Sequence, residues 1–553
     1  MSYVLQGSMG SPGLRFGTLV QLQISAPVLM VADQDPADAL VRFATAQQEV
    51  AAQLERIGAE LRVDGQAEEA EIFDAQAMLV ADPLLSNQVE QLVGGGASLP
   101  EAVAQAAREL ASTLSALDDP YLQARAADVH AVGEQLLATL SGRVGDVKVP
   151  PGAIVVAQDL TPTQTAALRK QAIAGFATAG GSTTGHVAIL ARALGIPAIV
   201  GVGAQLLDAP DGAAAILDAA NGQLIVEPTA DDIARYEALH AQQEASAKRR
   251  LALIDLPATT SDGRRVQLWA NIGHPDEAQF AREQGAEGIG LFRTEFLFLD
   301  RTAPPDEDEQ YQAYVAALQH MAGRPVIVRT IDVGGDKPIT YLSVLEEPNP
   351  FLGHRGIRFA MCFPELFQTQ LRALLRAAVH GDLRIMLPMV ATPEDIAWTQ
   401  AQIEAAAQTL TAAAKEHRAD PPLGIMIETP AAALTLDLLT NNIQFCSIGS
   451  NDLAQYTLAV DRGTSDLAAR YPHNDPAVFR LLRLVADSAQ RLGIELSICG
   501  ELAGDATMSI ALVGVGIEKL SMAPSALLSV KEALRAVSYM EAQQQGRTAC
   551  RET

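Results

Sequence analysis

Charged and polar side chains recur in the second half of the chain, each at or just after the end of a short apolar run. The set comprises Arg293, Arg329, the Gly334-Gly-Asp-Lys337 loop, Arg355, Glu428, Asn451-Asp452, Arg462 and Cys499. A guanidinium offers a bidentate fork to phosphate or carboxylate. Two carboxylates on neighbouring strands suit Mg²⁺, which fills its other positions with substrate oxygens and water. The pattern predicts an anion-binding site beside a hard metal ion.

Each of these residues alone is as consistent with a structural ion pair as with a binding site. Their convergence from five strands favours a functional rim. Cys499 is a candidate general acid or base, but residue type alone favours a small, inert, buried side chain.

A second candidate for chemistry is the histidine that follows a Gly/Ser/Thr-rich loop, Ala179 to Gly185, and begins an apolar helix. Free N–H groups of such a loop and the positive helix end favour an incoming phosphoryl group. A neutral imidazole at that position, here His186, is a competent nucleophile. Taken alone, the loop is more typical of a helix cap with an incidental histidine.

The rim residues need a scaffold whose strands end at one edge. Eight apolar runs alternate with helical stretches from Arg265 onward, which predicts a (β/α)8 barrel whose chemistry lies at the C-terminal strand ends. A doubly wound sheet is the alternative. The runs are 267–272, 288–294, 326–331, 384–390, 424–428, 445–449, 496–499 and 519–522.

The pattern of the first half of the chain predicts an α/β domain interrupted by an insertion of amphipathic helices. A polar helical stretch with a basic end follows and is a plausible linker. The predicted fold class is therefore a multidomain α/β protein. Its expected parts are an α/β domain of residues 1–30 plus 141–228, a helical domain of 31–140, a linker of 229–260 and a barrel of 261–553.

The charge is unevenly distributed. The net charge of −26 argues against a duplex-DNA binder and against docking on anionic lipid. Residues 31–140 carry 19 acidic side chains against five Arg, a net −14. This acidity indicates either a solvated helical face or a docking surface for a basic protein. Four Cys without paired spacing and no apparent leader or membrane segment lead us to expect a cytoplasmic protein.

Several long segments carry a family resemblance. They include Asp159-Leu-Thr-Pro162, the stretch 190–201 (LARALGIPAIVG), 287–300 (EGIGLFRTEFLFLD), 328–337 (VRTIDVGGDK), 349–358 (NPFLGHRGIR), 427–433 (IETPAAA), 447–462 (SIGSNDLAQYTLAVDR) and 499–504 (CGELAG). Together they resemble the enzyme I family of the bacterial sugar phosphotransferase system, the phosphoenolpyruvate–protein phosphotransferases, over essentially the whole chain.

The resemblance implies a role for each candidate. His186 would carry the phosphoryl group on a swivelling phosphohistidine domain, and Cys499 would protonate C3 of the enolate to give pyruvate. Phosphoenolpyruvate (PEP) would be held by Arg293, Arg329, Asn451 and Arg462, with Lys337, Arg355 and Asp452 nearby. Glu428 and Asp452 would bind Mg²⁺. The helical insertion would dock the histidine-containing carrier HPr, with Glu68, Glu69 and Glu71 as candidate contacts. The barrel would form a homodimer.

The chain departs from the family pattern at three places. Four residues, Ser182 to Gly185, separate the Gly pair from His186 where three are usual. Gln76 stands where the family often carries a histidine at the carrier interface, and His130 replaces a usual arginine. These last two changes predict a carrier with an altered surface.

Two alternatives remain at this point. Pyruvate phosphate dikinase and phosphoenolpyruvate synthase share the histidine and barrel domains, but they need an additional nucleotide-binding domain for which this sequence has no spare length. A phosphorelay regulator that docks partners without turning over PEP is the other alternative, and the complete set of rim residues argues against it.

Overall fold

The structure is a computed structural model that divides into two compact units, Met1–Glu244 and Ala245–Thr553. It describes residues 2–22, 35–63, 67–115, 120–141, 149–183, 185–299, 301, 303–334, 339, 341–342, 347–461, 464, 467 and 470–551. Within these ranges, the side chains of 60–63, 67–71, 120–124, 127, 186, 193, 243 and 247 are outside the description.

The first unit contains an eight-stranded sheet in the order β1-β8-β7-β3-β4-β5-β6-β2. Strands β3 to β6 are parallel, and the antiparallel strands β1, β7, β8 and β2 complete both edges. The strands are β1 (Tyr3–Gln6), β2 (Ser8–Ser11), β3 (Leu14–Gln21), β4 (Ala153–Ala157), β5 (Gly175–Thr178), β6 (Ala198–Val200), β7 (Ala214–Asp218) and β8 (Gln223–Val226).

Five helices lie between β3 and β4 in sequence, as the insertion pattern predicts. Buried side chains of α1, α3 and α4 share one apolar cluster with strand residues such as Val155 and Phe176, so the helices pack on the sheet domain. The helices of this unit are α1 (Pro36–Val63), α2 (Ala67–Val80), α3 (Pro83–Gly94), α4 (Leu99–Ser115), α5 (Pro120–Leu140), α6 (Pro162–Arg169), α7 (His186–Ala193) and, running past the end of the unit, α8 (Ala230–Leu251).

The second unit is a closed barrel of eight parallel strands. Strands β10 to β17 pair in sequence order, and β10 pairs with both β17 and β11, which closes the ring. This closure confirms the barrel and excludes the doubly wound alternative. The strands are β9 (Ala258–Thr259), which is antiparallel to β10, β10 (Arg265–Ile272), β11 (Ile289–Phe292), β12 (Val326–Arg329), β13 (Leu383–Leu387), β14 (Leu423–Ile427), β15 (Phe445–Ile448), β16 (Glu495–Ile498) and β17 (Lys519–Met522).

Helices surround this barrel. A typical one is α17, which starts where Asp475 accepts a hydrogen bond from the Ala477 N–H and ends at Gly493 with φ of 67°. The helices are α9 (Glu277–Glu283), α10 (Glu307–Met321), α11 (Ile357–Cys362), α12 (Pro364–Ala377), α13 (Pro393–Ala412), α14 (Pro430–Leu434), α15 (Leu436–Leu439), α16 (Ser450–Leu458), α17 (Pro476–Leu492), α18 (Ala506–Gly514), α19 (Leu527–Ala536) and α20 (Tyr539–Ala549).

The barrel has two apolar layers because successive strand side chains point to opposite faces. Leu268 and Ala270 pack outward in the layer between strands and helices, whereas Trp269 points into the barrel. The interior cluster is small and consists of Trp269, Leu291, Ile327, Met386, Met426, Phe445 and Cys499. The polar residues at the strand ends therefore lie above an apolar interior.

Among the helices of the described ranges, none combines the length and the apolar character that a membrane span requires.

Candidate active site

A cavity of the barrel unit opens at the C-terminal ends of its strands, as the sequence predicts. It has a volume of about 440 Å³. Seven of the residues proposed from the sequence line it together: Arg293, Arg329, Arg355, Glu428, Asn451, Asp452 and Cys499. Five strand ends contribute to this rim, so residues more than 200 positions apart in the sequence converge on one space.

Arg329 is a buried cation of the rim, with only 6% of its surface exposed. Its Nη2 atom lies 2.9 Å from Glu295 Oε1, and its Nη1 atom lies 3.1 Å from Asp332 Oδ2. Its Nε atom has no hydrogen-bond partner among the described residues. The guanidinium is therefore fixed on two sides and keeps one N–H donor unused.

Arg355 joins the loop after β12 to the helix after β15. It donates through Nη2 to Asp332 Oδ2 at 2.9 Å and through Nη1 to Asp452 Oδ1 at 3.0 Å. The same Nη1 atom lies 3.3 Å from the Tyr456 hydroxyl. Since Asp332 accepts from both Arg329 and Arg355, one buried carboxylate sets the spacing of two guanidinium groups.

Asn451 and Asp452 reach the cavity because α16 begins directly after β15. Asn451 accepts a hydrogen bond from the Glu501 N–H at 3.0 Å, which ties it to the segment after β16. Arg293 has an exposed side chain at the cavity, with no salt bridge or hydrogen bond to any described residue. It is available to an anionic ligand without a competing internal carboxylate.

Glu428, directly after β14, is fully buried. Its Oε1 atom accepts a hydrogen bond from the Met389 N–H at 2.5 Å, while Oε2 has no partner among the described residues. Gly449 leaves room for this carboxylate, because a Cβ at Gly449 would lie 3.1 Å from Oε2. Burial, together with the nearby carboxylates of Asp332 and Asp452, raises the pKa of Glu428 above its ordinary value. An ionised Glu428 therefore needs a cation close by to compensate its buried charge.

Cys499 lies directly after β16 and is 3% exposed at the floor of the cavity. Its N–H donates to the Ile448 carbonyl at 2.9 Å, and its Sγ atom lies 3.6 Å from the same oxygen. Burial raises the pKa of the thiol to about 11, although Arg329 acts in the opposite direction. The group therefore carries its proton at neutral pH.

The histidine loop belongs to the other unit. Helix α7 begins at His186, and Gly185 precedes it as an N-cap without a side-chain cap. Arg192 donates to the carbonyls of Thr183 and Gly10, both at 2.9 Å, and so fastens the loop to β2. The Gly185 N–H donates to the Ser182 carbonyl at 3.1 Å. The His186 side chain and Thr184 lie outside the described residues.

Comparison with known families covers most of the chain. Residues 247–539 match the PEP-binding domain of PEP-utilising enzymes, 6–125 match their N-terminal domain, and 149–222 match their mobile domain. The chain belongs to the PEP-utilising enzyme family. The resemblance seen in the sequence motifs is thereby confirmed.

Similar proteins include two that are named phosphoenolpyruvate-protein phosphotransferase. The chain is 37% identical over 544 residues to a phosphoenolpyruvate-protein phosphotransferase of Bacillus sp. (strain S), covering 97% of this chain and 94% of that one. It is 36% identical over 549 residues to the protein of that name in Bacillus subtilis (strain 168), covering 98% and 95%. A multiphosphoryl transfer protein of Xanthomonas campestris pv. campestris is 42% identical over 485 residues, which are 86% of this chain but only 57% of that longer protein.

Some residues proposed from the family pattern cannot be located. Lys337 and Arg462 lie outside the described residues. Glu68, Glu69 and Glu71 fall on α2, but their side chains are likewise outside the description.

The departure at Gln76 has a structural explanation. Its side chain is 1% exposed and donates from Nε2 to Asp128 Oδ1 at 3.2 Å, linking α2 to α5. Such burial argues against direct contact between Gln76 and a carrier, so this residue gives no support to an altered docking surface. His130 is exposed.

Sequence reasoning missed three residues that organise the site. Glu295 and Asp332 lie inside the segments that carry the family resemblance, yet only the arginines of those segments were singled out. Tyr456 donates to the Phe351 carbonyl at 2.5 Å and accepts from Arg355. An acidic residue two or three positions after a rim arginine is the pattern that would have identified the first two.

Proposed function

We propose that this protein transfers the phosphoryl group of PEP to its own His186 and from there to a histidine of an HPr-type carrier protein, releasing pyruvate. The observation that carries the proposal is the barrel cavity. It brings together several guanidinium groups, a protonated thiol and a buried carboxylate, one of whose oxygens has no partner among the described residues, in a family of enzymes that use PEP.

PEP is a small, highly charged anion, and the rim arginines are suited to it. Arg293 and Arg329 offer guanidinium donors to its phosphate and carboxylate oxygens, and Asn451 adds a neutral amide. Arg355 stands beside them, and Lys337 and Arg462 complete the proposed set. Because Glu295 and Asp332 already fix Arg329, little ordering is needed when the substrate binds.

The donor set of the rim fits Mg²⁺. Glu428 and Asp452 would hold the ion, and the buried Oε2 of Glu428 has no other partner among the described residues. Those residues include no group of three or more His, Cys, Asp or Glu side chains arranged for a metal. Mg²⁺ needs only one or two carboxylates when substrate oxygens and water fill its other positions. When bound, it would neutralise charge on the phosphate and on the forming enolate.

The chain's own residues account for the remaining chemistry. The bond between phosphorus and the bridging oxygen of PEP breaks as the phosphoryl group passes to the His186 imidazole, and the electron pair stays on the oxygen as an enolate. The rim guanidinium groups stabilise that charge. The Cys499 thiol then gives its proton to C3 while the enolate collapses to the ketone of pyruvate, and the thiolate regains a proton from solvent.

The second transfer requires a docking surface and a moving histidine. The net −14 of residues 31–140 favours encounter with a basic-faced carrier. One imidazole must meet PEP at the barrel and a carrier at the helical insertion, so the phosphohistidine domain must swivel during turnover. We further propose homodimerisation through the barrel and a cytoplasmic location, where the four free cysteines would stay reduced.

A coupled assay tests this function. The purified chain, PEP, Mg²⁺ and an HPr-type carrier should release one pyruvate for each carrier phosphorylated. Arg329→Met, which removes the buried guanidinium but keeps most of its volume, should abolish release. If the wild-type chain with its carrier releases no pyruvate, the proposed function fails.

A further inference from the structure

Asn271 is a polar side chain near the end of β10 that makes three hydrogen bonds across the top of the barrel. Its Nδ2 atom donates to the Cys499 carbonyl at 2.9 Å and to the Ser521 carbonyl at 3.3 Å. Its Oδ1 atom accepts from the Ser521 hydroxyl at 2.6 Å. One amide thereby connects the ends of β10, β17 and β16, although it does not line the cavity.

The contact with Cys499 occurs where the strand ladder stops. Strands β16 and β17 are paired at a single position, Ile498 with Leu520. Beyond it, the Cys499 N–H still bonds to Ile448 on the β15 side. On the β17 side, the Asn271 amide donates to the Cys499 carbonyl. In a longer strand pair, a backbone N–H would have bonded to that carbonyl.

Ser521 holds the amide in this orientation. Its hydroxyl donates to Oδ1, which leaves the Nδ2 hydrogens for the two carbonyls. The position is crowded, because a Cβ at Gly290 would come within 2.4 Å of Ser521 Oγ. Glycine on β11 therefore leaves the space that Ser521 needs.

We propose that Asn271 is a positioning residue for the proton transfer, fixing the backbone of Cys499 so that the thiol faces C3 of the enolate. This inference rests on the proposed function. Cys499 is tethered by backbone hydrogen bonds on two sides, and Asn271 supplies one of them with a side chain that can be replaced. A displacement of about 1 Å in a reacting group costs up to about a hundredfold in rate.

Asn271→Ala tests the proposal, with Asn442→Ala as the matched control, since Asn442 is an exposed asparagine of the same unit. The turnover number for pyruvate release should fall roughly tenfold to a hundredfold in Asn271→Ala and stay at the wild-type value in the control. The PEP dissociation constant, measured in a His186→Ala background to prevent transfer, should not change. The solvent deuterium isotope effect on turnover should rise, because proton transfer becomes the slow step.

Other results would overturn the proposal. Wild-type turnover in Asn271→Ala would show that Cys499 needs no such tether. An equal loss of PEP affinity, with no rise in the isotope effect, would assign Asn271 to the general architecture of the rim. If Asn271→Ala does not fold, Ser521→Ala replaces it as the test variant. Its turnover number should fall roughly threefold to tenfold. Wild-type turnover in Ser521→Ala would also overturn the proposal. Failure of the wild-type chain to release pyruvate would instead remove the proposed function itself.

Discussion

Cys499→Ala is the substitution whose effect follows most directly from the described site. The thiol is buried with a pKa of about 11, so at pH 8 roughly one molecule in a thousand is ionised. A positioned general acid contributes about 10²- to 10⁴-fold, equivalent to about 3 to 5 kcal/mol in the barrier. We expect the turnover number for pyruvate release to fall by that factor in Cys499→Ala, with PEP affinity retained.

The pH profile sharpens this prediction. The reaction requires the protonated thiol, whose raised pKa keeps it protonated until pH approaches 11. Between pH 6 and 9, Cys499 should therefore impose no alkaline decline on turnover. Pyruvate release followed in a lactate dehydrogenase assay measures both effects, after confirming that the coupling enzyme is not limiting at each pH.

Cys446→Ala is the matched control. Cys446 is equally buried on the neighbouring strand β15, but its side chain packs in the layer outside the barrel interior. It reports the cost of removing a buried sulfur without touching the cavity, and turnover should stay within about twofold of wild type. The reasoning is refuted if Cys499→Ala turns over as fast as Cys446→Ala, or if an alkaline limb near pH 8.5 is lost on substituting Cys499.

Three further predictions follow from other parts of the chain. Glu428→Gln should abolish Mg²⁺-dependent PEP binding, and calorimetry that finds undiminished Mg²⁺ dependence would exclude Glu428 as a ligand. Burial opposes ionisation of Glu307, but three salt bridges hold its pKa at about 2. Glu307→Gln should thus cost about 2 kcal/mol at pH 7 in urea unfolding, a difference that shrinks as pH falls from about 4.5 towards 2. Replacing Glu68, Glu69 and Glu71 by Gln should slow phosphoryl transfer to the carrier but leave self-phosphorylation unchanged; equal slowing of both steps would mean that these residues do not dock the carrier.

The barrel was predictable because short segments of the sequence are enough to indicate each of its strands and helices. Each strand is a short apolar run, and the alternation of runs with amphipathic stretches specifies eight βα units whatever the details of packing. The rim residues were predictable for a related reason. The C-terminal end of every parallel strand meets the same edge, so Arg329 and Glu428 had to converge even though 99 positions separate them.

The pairing of charges within the rim was not predictable in the same way. Arg329 pairs with Glu295 and Asp332, and Arg355 pairs with Asp332 and Asp452. Which carboxylate lies within reach of each arginine depends on the stagger of the strands and on side-chain orientation. Composition and spacing do not encode these choices.

Cys499 illustrates a different limit of sequence reasoning. Residue type favoured a buried and inert thiol, and the side chain is indeed buried. That same burial keeps the thiol protonated at the floor of the cavity, which is the state that a general acid needs. Burial and function are therefore not alternatives for this residue, because the proposed general acid depends on the burial that keeps the thiol protonated.

The most direct test of the account is the transfer of label from PEP to the protein. With Mg²⁺ present, wild-type chain mixed with PEP carrying a radioactive phosphoryl group should acquire acid-labile, base-stable label at His186, and His186→Ala should acquire none. Equal labelling of both proteins, or none on the wild type, would contradict the central claim that His186 receives the phosphoryl group of PEP.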